Sequence, residues 1–443
     1  MTERAVAALL HGARGLFAAL IEAFDAAQRE IRLETYIFDT RGGAADLCAA
    51  LVRAAERGVA VHLVVDGVGT PELPAHWCER FAASGVQVAR FAPTGWLGLL
   101  RPSRWHRLHR KLCVVDGALL FCGGINILDD HHNPNPGPLA HPRLDFAVAV
   151  RGAPVRRAQA LMTRLAWRVE TVQRVRAHPV RGTLDALANA ARTTRSRHAA
   201  RQETAGPDGL EDTEPLTAQP AAQAAAQVLP PHASALWRQG GASWPLQPVR
   251  RVALLLRDNL RHRAQIERAY RRAIAAAREE VVLASAYFLP GRRLRRALQA
   301  AARRGVRVRV LMQGRYEYFF EHHGARAMLA PLLAAGVEVY EYLPSFLHAK
   351  VAVVDAHGER AWATVGSSNL EPLSLLLALE ANVVVEDSDF ARALHASLDT
   401  ALHEHSRRLD AQALERRPWS ARLLDRLALA LVRLALTLTG RRY

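Results

Sequence analysis

Two short stretches of the sequence carry residues that can do chemistry together. Residues 108–117 read Leu-His-Arg-Lys-Leu-Cys-Val-Val-Asp-Gly, and residues 347–356 read Leu-His-Ala-Lys-Val-Ala-Val-Val-Asp-Ala. Each holds a histidine, a lysine two places on and an aspartate five places further: His109, Lys111 and Asp116, then His348, Lys350 and Asp355. Lysine and arginine total 59, yet Lys111 and Lys350 are the only lysines in the chain. With 19 histidines available, chance would put both lysines two places after a histidine roughly once in 500 chains. In an extended strand His109 and Lys111 share one face, as do His348 and Lys350. Their neighbours are apolar, so the strands are expected to be buried, and a buried imidazole or ammonium must be compensated.

Two histidines, two lysines and neighbouring amides suit displacement at a phosphodiester. Ammoniums and amides neutralise and hold the equatorial oxygens. One imidazole attacks phosphorus and forms a phosphohistidine. The other protonates the leaving alkoxide and then deprotonates the incoming nucleophile. One ring must start neutral and the other charged, so their surroundings must differ. A lysine is a compact, rotatable charge on a slim stem, whereas arginine's planar fork needs more room. That difference accounts for lysine surviving at these two places alone.

After the motifs come Gly123-Gly124-Ile125-Asn126 and Gly366-Ser367-Ser368-Asn369. Glycine allows close backbone approach to a ligand, and Asn126, Asn369 and Ser368 offer neutral donors. Asp145 and Glu380 stand just before or within apolar strands. Each is placed to hold the imidazole of the other copy in one tautomer. A metal reading rests on His106, His109, His131, His132 and His141, but Lys111 would repel a cation beside His109, and the spacings match no zinc pattern. No cofactor and no metal are expected.

These residues need elements to position them, and the chain supplies the same set twice. Residues 31–67 and 281–314 both read as apolar strand, loop, amphipathic helix, Arg-Gly turn and apolar strand. A further helix and strand follow in each half, then the His-x-Lys segment. Strand–helix–strand order implies an α/β fold with helices on the sheet faces. Asp116-Gly117 between apolar runs marks a hairpin; the second copy has a longer turn. The expected organisation is a first domain over residues 1–194, a linker over 195–245, a second domain over 246–410 and a tail over 411–443. The linker is rich in Ala, Pro, Gln and Gly, without helical or strand period; its Trp237 and Trp244 could dock on a surface.

In the tail, Asp425, Arg426 and Arg433 interrupt a leucine-rich run. Helical spacing gathers the leucines on a broad face and the charges on a narrow strip, which suits a helix in a membrane interface or one docked on the protein. Trp96, Leu97, Leu99, Leu100 and Trp105 precede His109 in a basic segment suited to admitting a lipid. The net charge of +17 attracts anions at long range. Aromatics interleaved with basic residues along a groove, as single-stranded nucleic acid requires, are not evident, and nucleic acid is not an expected partner. Cys48, Cys78, Cys113 and Cys122 lack paired zinc spacing and read as reduced packing residues. The N-terminus reads as a first helix, not a signal peptide, and no apolar run is long enough to span a membrane.

The paired H-x-K-x4-D motifs, each followed by a glycine turn and Asn, resemble the phospholipase D superfamily. Within it, residues 33–38, 109–126 and 366–385 are similar to the bacterial cardiolipin synthases of the B type. The resemblance implies two similar phospholipase D-like domains, each a mixed sheet flanked by helices, related by a pseudo-twofold with one active site at their interface. It implies transfer of a phosphatidyl group between lipids, typically from phosphatidylglycerol to a second phosphatidylglycerol with release of glycerol; hydrolysis of phospholipid or nucleic acid is the alternative within the same fold. By family habit His109 is the nucleophile and His348 the acid. Anionic phospholipid and the membrane surface are the implied partners, with a peripheral place on the cytoplasmic side of the inner membrane.

Overall fold

A computed structural model of the chain describes residues 5–92, 106–133, 137–177, 244–258, 262–316, 319–370, 378–412 and 416–438. The chain forms two compact units, one made of Met1–Gln159 with Trp244–Tyr443 and the other of Ala160–Ser243. Both copies of the repeat therefore lie in a single unit.

In the first copy the order is β1 (Val6–His11), α1 (Gly12–Ala26), β2 (Glu30–Thr35), α2 (Gly43–Glu56), β3 (Ala60–Asp66), α3 (Ala75–Ser84) and β4 (Gln87–Phe91). Then follow β5 (Arg107–Leu108), β6 (Lys111–Val115), β7 (Leu119–Gly123), the short pair β8 (His132–Asn133) and β9 (Gly137–Pro138), β10 (Phe146–Arg151) and α4 (Ala153–Ala177). After β11 (Gln247–Pro248) the second copy runs β12 (Arg251–Arg257), α5 (Gln265–Ala276), β13 (Glu280–Ser285), α6 (Arg292–Arg303), β14 (Arg307–Gln313), α7 (Phe319–Leu333) and β15 (Glu338–Tyr342). It continues with β16 (Lys350–Val354), β17 (Trp362–Gly366), β18 (Ala378–Glu386), α8 (Ser388–Glu404), β19 (Ser406–Arg408) and α9 (Trp419–Leu438).

The two sheets share a seven-strand order, to which β11 adds an edge strand in the first and β19 one at the opposite edge in the second. The first is β11-β1-β10-β7-β6-β2-β3-β4, the second β12-β18-β17-β16-β13-β14-β15-β19. In each, the repeat's two leading strands pair in parallel and the motif strand joins them antiparallel: β2 lies between β3 and β6, and β13 between β14 and β16. A mixed sheet results because the helical crossovers return the chain in parallel, while the hairpin after each motif, short in the first copy and longer in the second, returns it antiparallel. Apolar faces of α5, α6 and α7 close over the second sheet through Ile266, Tyr270, Leu298 and Leu329, all buried.

Beyond the shared order, the halves exchange elements. β5, from the first copy, pairs in parallel with β18 of the second, Leu108 opposite Leu379. β11, at the start of the second copy, pairs with β1 of the first sheet. β7 packs against β17 and β18. A division of the folded body at residue 246 is therefore too sharp. Trp244, counted with the linker from composition, is 5% exposed. Its indole Nε1 donates to Glu22 Oε2 at 3.1 Å, and its ring lies 5.6 Å from Phe121. Trp237 and residues 93–105 lie outside the described residues. All four cysteines are free; Cys48, Cys113 and Cys122 are buried as expected, but Cys78 is exposed on α3.

Candidate active site

The strands β6 and β16 begin at the lysines, so each histidine sits two residues ahead of its strand, not inside it. Fixing so short a segment takes contacts from both halves. Leu108 donates its N–H to Asp66 Oδ2 at 2.7 Å, and Leu347 donates to Gln313 Oε1 at 2.9 Å; Asp66 and Gln313 close β3 and β14. One residue on, the contact crosses to the other half. His109 N–H donates to the Leu379 carbonyl at 3.1 Å, and His348 N–H to the Leu144 carbonyl at 2.9 Å.

The next residues, Glu380 and Asp145, complete the exchange. His109 Nδ1 lies 2.9 Å from Glu380 Oε1, and His348 Nδ1 lies 2.7 Å from Asp145 Oδ2. Each imidazole is thus held by a carboxylate from the opposite half. With Nδ1 engaged, Nε2 is the nitrogen left to meet a reacting atom. Both carboxylates are buried, Glu380 fully.

The lysines fold back on the motif. Lys111 Nζ donates to the His109 carbonyl at 2.6 Å and lies 5.7 Å from the centre of the Tyr36 ring, which in turn stacks tilted on His109 at 5.3 Å. Lys350 Nζ donates to the His348 carbonyl. Lys111 is 6% exposed and Lys350 1%, so both cations sit in a low-dielectric site. Burial, only partly offset by Glu380, pushes Lys111 down to about 7.

The two imidazole–carboxylate pairs differ. Burial pushes Asp145 up to about 7, and burial together with Lys350 and Lys111 takes His348 well below its ordinary value. Burial also raises Glu380, but the charge and hydrogen bond of His109, Lys111 and the Ser367 hydroxyl outweigh it, and Glu380 ends below its usual range. Burial lowers His109, with Glu380 opposing. The paired turns add a smaller contribution to this difference. Ser367 Oγ donates to Glu380 Oε2. At the matching place the first copy has Gly124, where a Cβ would collide with the Asp145 carboxylate.

The glycines serve close packing between neighbouring strands. A Cβ on Gly123 would stand 2.6 Å from Ala147 Cα of the neighbouring strand, and one on Gly366 would collide with Asn382. Asn126 is buried and accepts from Ile37 N–H at 3.1 Å. Ser368 is buried and donates its N–H to Asn382 Oδ1 at 3.3 Å, and Asn369 is 3% exposed beside it.

Asp116 and Asp355, grouped with the histidines and lysines by their motif, must be reassigned. Each ends its strand five residues beyond the lysine, roughly 16 Å away at a strand's rise. Asp116 Oδ1 accepts from the N–H groups of Arg29 and Glu30 at 2.8 and 2.9 Å, and Oδ2 from Gln28 at 3.0 Å. Asp355 does the same for Arg278, Glu279 and Glu280 at 2.9, 2.9 and 3.0 Å. Both adopt positive φ, 53° and 48°, a conformation that aspartate tolerates better than most residues. They pin the turn that leads into β2 and β13, and so set the register of the motif strand.

Residue-type reading missed Asp66, Gln313, Ser367 and the Glu34–Arg110 pair. Arg110 Nε and Nη2 meet Glu34 at 2.5 and 3.1 Å, both groups buried. Arg110 lies between His109 and Lys111, so this bidentate pair fixes the motif's middle residue. A charged residue inside an apolar strand was the available signal.

The family described as "Cardiolipin synthase, PLD-like domain" matches residues 20–135 and 270–402, one segment in each copy. The chain belongs to this family of phospholipase D-like proteins. Cardiolipin synthase B of Escherichia coli strain K12 is 34% identical over 411 residues, covering 93% of this chain and 84% of that protein. Cardiolipin synthase A of Klebsiella pneumoniae is 26% identical over 410 residues, covering 92% of this chain and 71% of that one. Among solved structures, phosphatidylserine synthase of Haemophilus influenzae superposes with a TM-score of 0.59 at 13% identity, covering 97% of this chain and 96% of that one. That likeness shows a shared fold between the two proteins.

Proposed function

We propose that the protein is a cardiolipin synthase. It transfers a phosphatidyl group from one phospholipid, phosphatidylglycerol by preference, to a second phosphatidylglycerol and releases glycerol. The observation that carries the reading is the reciprocal exchange at the site, His109 with Glu380 and His348 with Asp145, in a chain 34% identical to cardiolipin synthase B along most of its length.

His109 Nε2 attacks phosphorus. Its Nδ1 proton faces an ionised Glu380, which stabilises the positive charge that grows on the ring as the N–P bond forms. His348 faces Asp145, and that pair retains a proton near neutral pH. It delivers the proton to the leaving glycerol oxygen as the P–O bond breaks. In the second half the acceptor's hydroxyl gives its proton back to His348 and attacks the phosphohistidine, freeing His109. Lys111 and Lys350 hold the phosphoryl oxygens, with Asn126, Asn369 and Ser368 beside them. Nothing in this scheme calls for a metal or cofactor. The site works on lipid at an anionic membrane surface, peripherally and on the cytoplasmic side of the inner membrane.

Incubation with labelled phosphatidylglycerol and mass spectrometry of the products tests the reading. Cardiolipin and glycerol in equal amounts are expected, and none from His109→Ala. Phosphatidic acid without cardiolipin would make the protein a hydrolase.

A further inference from the structure

Helix α9 is built inside out. Asp425 is 4% exposed and turned toward the body, where its carboxylate meets His323 Nδ1 at 2.7 Å and Arg417 Nη1 at 2.5 Å. Ala428 and Leu429 are buried on the same side, against α7. The outward side carries Trp419 at 72% exposure, Leu423 at 46%, Leu427 at 52%, Leu431 at 53% and Leu434 at 54%. Spacings of four, four, four and three put these five on one helical stripe, with Leu424 at its edge. A helix docked for packing alone would bury this stripe and expose the acid.

We propose that the outward stripe of α9 is a membrane-docking surface that seats the protein in the headgroup layer of an anionic bilayer; this rests on the lipid substrate proposed above. Arg422 and Arg426 are exposed alongside the leucines and supply the charge that anionic headgroups favour. A tryptophan at the end of the stripe suits the interfacial layer. Among the described residues no helix is long and apolar enough to cross a membrane, so α9 lies in the interface. A second copy of the chain fits less well. The exposed arginines beside the stripe complement anionic headgroups and would repel the same arginines of a second copy laid against it.

The test uses the full chain and two variants, Leu427→Glu/Leu431→Glu and the milder Leu427→Gln/Leu431→Gln. Co-sedimentation is measured with vesicles of phosphatidylcholine and phosphatidylglycerol, and turnover with phosphatidylglycerol in detergent micelles. Loss of two leucine contacts predicts roughly hundredfold weaker vesicle partition for the Glu variant, less for the Gln variant, and unchanged turnover in micelles. Vesicle binding equal to wild type in both variants would overturn the proposal. So would a wild-type dimer that the variants dissociate, because the stripe would then be covered by a second copy. Absence of wild-type turnover in micelles would sink the enzymatic reading instead and leave the binding result to stand by itself.

Discussion

Replacing Asp116 by alanine is expected to cost stability, not chemistry. Three N–H groups, those of Gln28, Arg29 and Glu30, donate to its carboxylate at 2.8–3.0 Å. A hydrogen bond to a charged group contributes about 1.5–3 kcal/mol, which sets a gross upper bound near 9 kcal/mol. Gln28 and Arg29 are exposed, so water re-solvates their N–H groups and the net loss falls to about 3 kcal/mol. Alanine at a φ of 53° adds about 1 kcal/mol, giving about 4 kcal/mol in total. Asp116→Asn keeps an acceptor for Arg29 and Glu30 and tolerates the left-handed conformation, so it should cost about 1–2 kcal/mol. Denaturant unfolding of wild type and both variants measures these differences, and kcat per folded molecule should change less than about threefold. A variant with the wild-type unfolding midpoint and kcat down a hundredfold would refute the reasoning and return Asp116 to the chemical step.

Glu380→Gln leaves the fold intact but removes the charge facing His109 Nδ1, and kcat should fall about 10²–10⁴-fold with KM little changed; steady-state kinetics in micelles decide it. Lys350→Arg forces a larger, planar cation into a site only 1% exposed; a loss of about 1–3 kcal/mol in stability together with at least a hundredfold lower kcat is expected, and near-normal turnover would contradict the size argument for lysine. The profile of kcat/KM should fall as pH rises through about 7. There Lys111 loses its charge and the Asp145–His348 pair its proton, both needed in the free enzyme. On the acid side activity should persist below an ordinary histidine's range, because burial keeps His109 neutral there. Activity still climbing at pH 9 would count against this account.

Much of this was legible in the residues. The duplicated strand–helix–strand pattern gave the α/β layers, because the period of apolar positions changes with the element. The sparing use of lysine marked the site. Asp145 and Glu380 stood out as carboxylates at the mouths of apolar strands, and the exchange between copies followed from the repeat. Other features were hidden because they depend on where strands end in space. Asp66 and Gln313 are ordinary polar residues in sequence; they acquire a role only because β3 and β14 stop beside the residue ahead of each histidine. Asp116 and Asp355 misled in the opposite way. A fixed spacing from the histidine suggested a shared task, but five residues of strand carry the carboxylate to the far end of the sheet. The tail was ambiguous between membrane and body; α9 turns one face to the body and leaves a leucine stripe exposed on the other.

The exchange of carboxylates also explains why the site needs two copies in one unit. Each half holds the imidazole of one pair and the orienting carboxylate of the other, so neither half alone contains an oriented histidine. Identical halves would give two equal pairs, and only their mutual coupling would leave one ring neutral and the other supplied with a proton, with neither role assigned in advance. The chain breaks that symmetry with small differences: glutamate against aspartate, and Ser367 against Gly124. The longer side chain of Glu380 reaches a hydroxyl that adds to the pull of His109 and Lys111 toward its ionised form, whereas Asp145 sits so close to the backbone that only glycine fits opposite it. Gly124→Ser would therefore not copy the second half's chemistry into the first. It would push Asp145 off His348, and the proton the leaving group needs would lose its place.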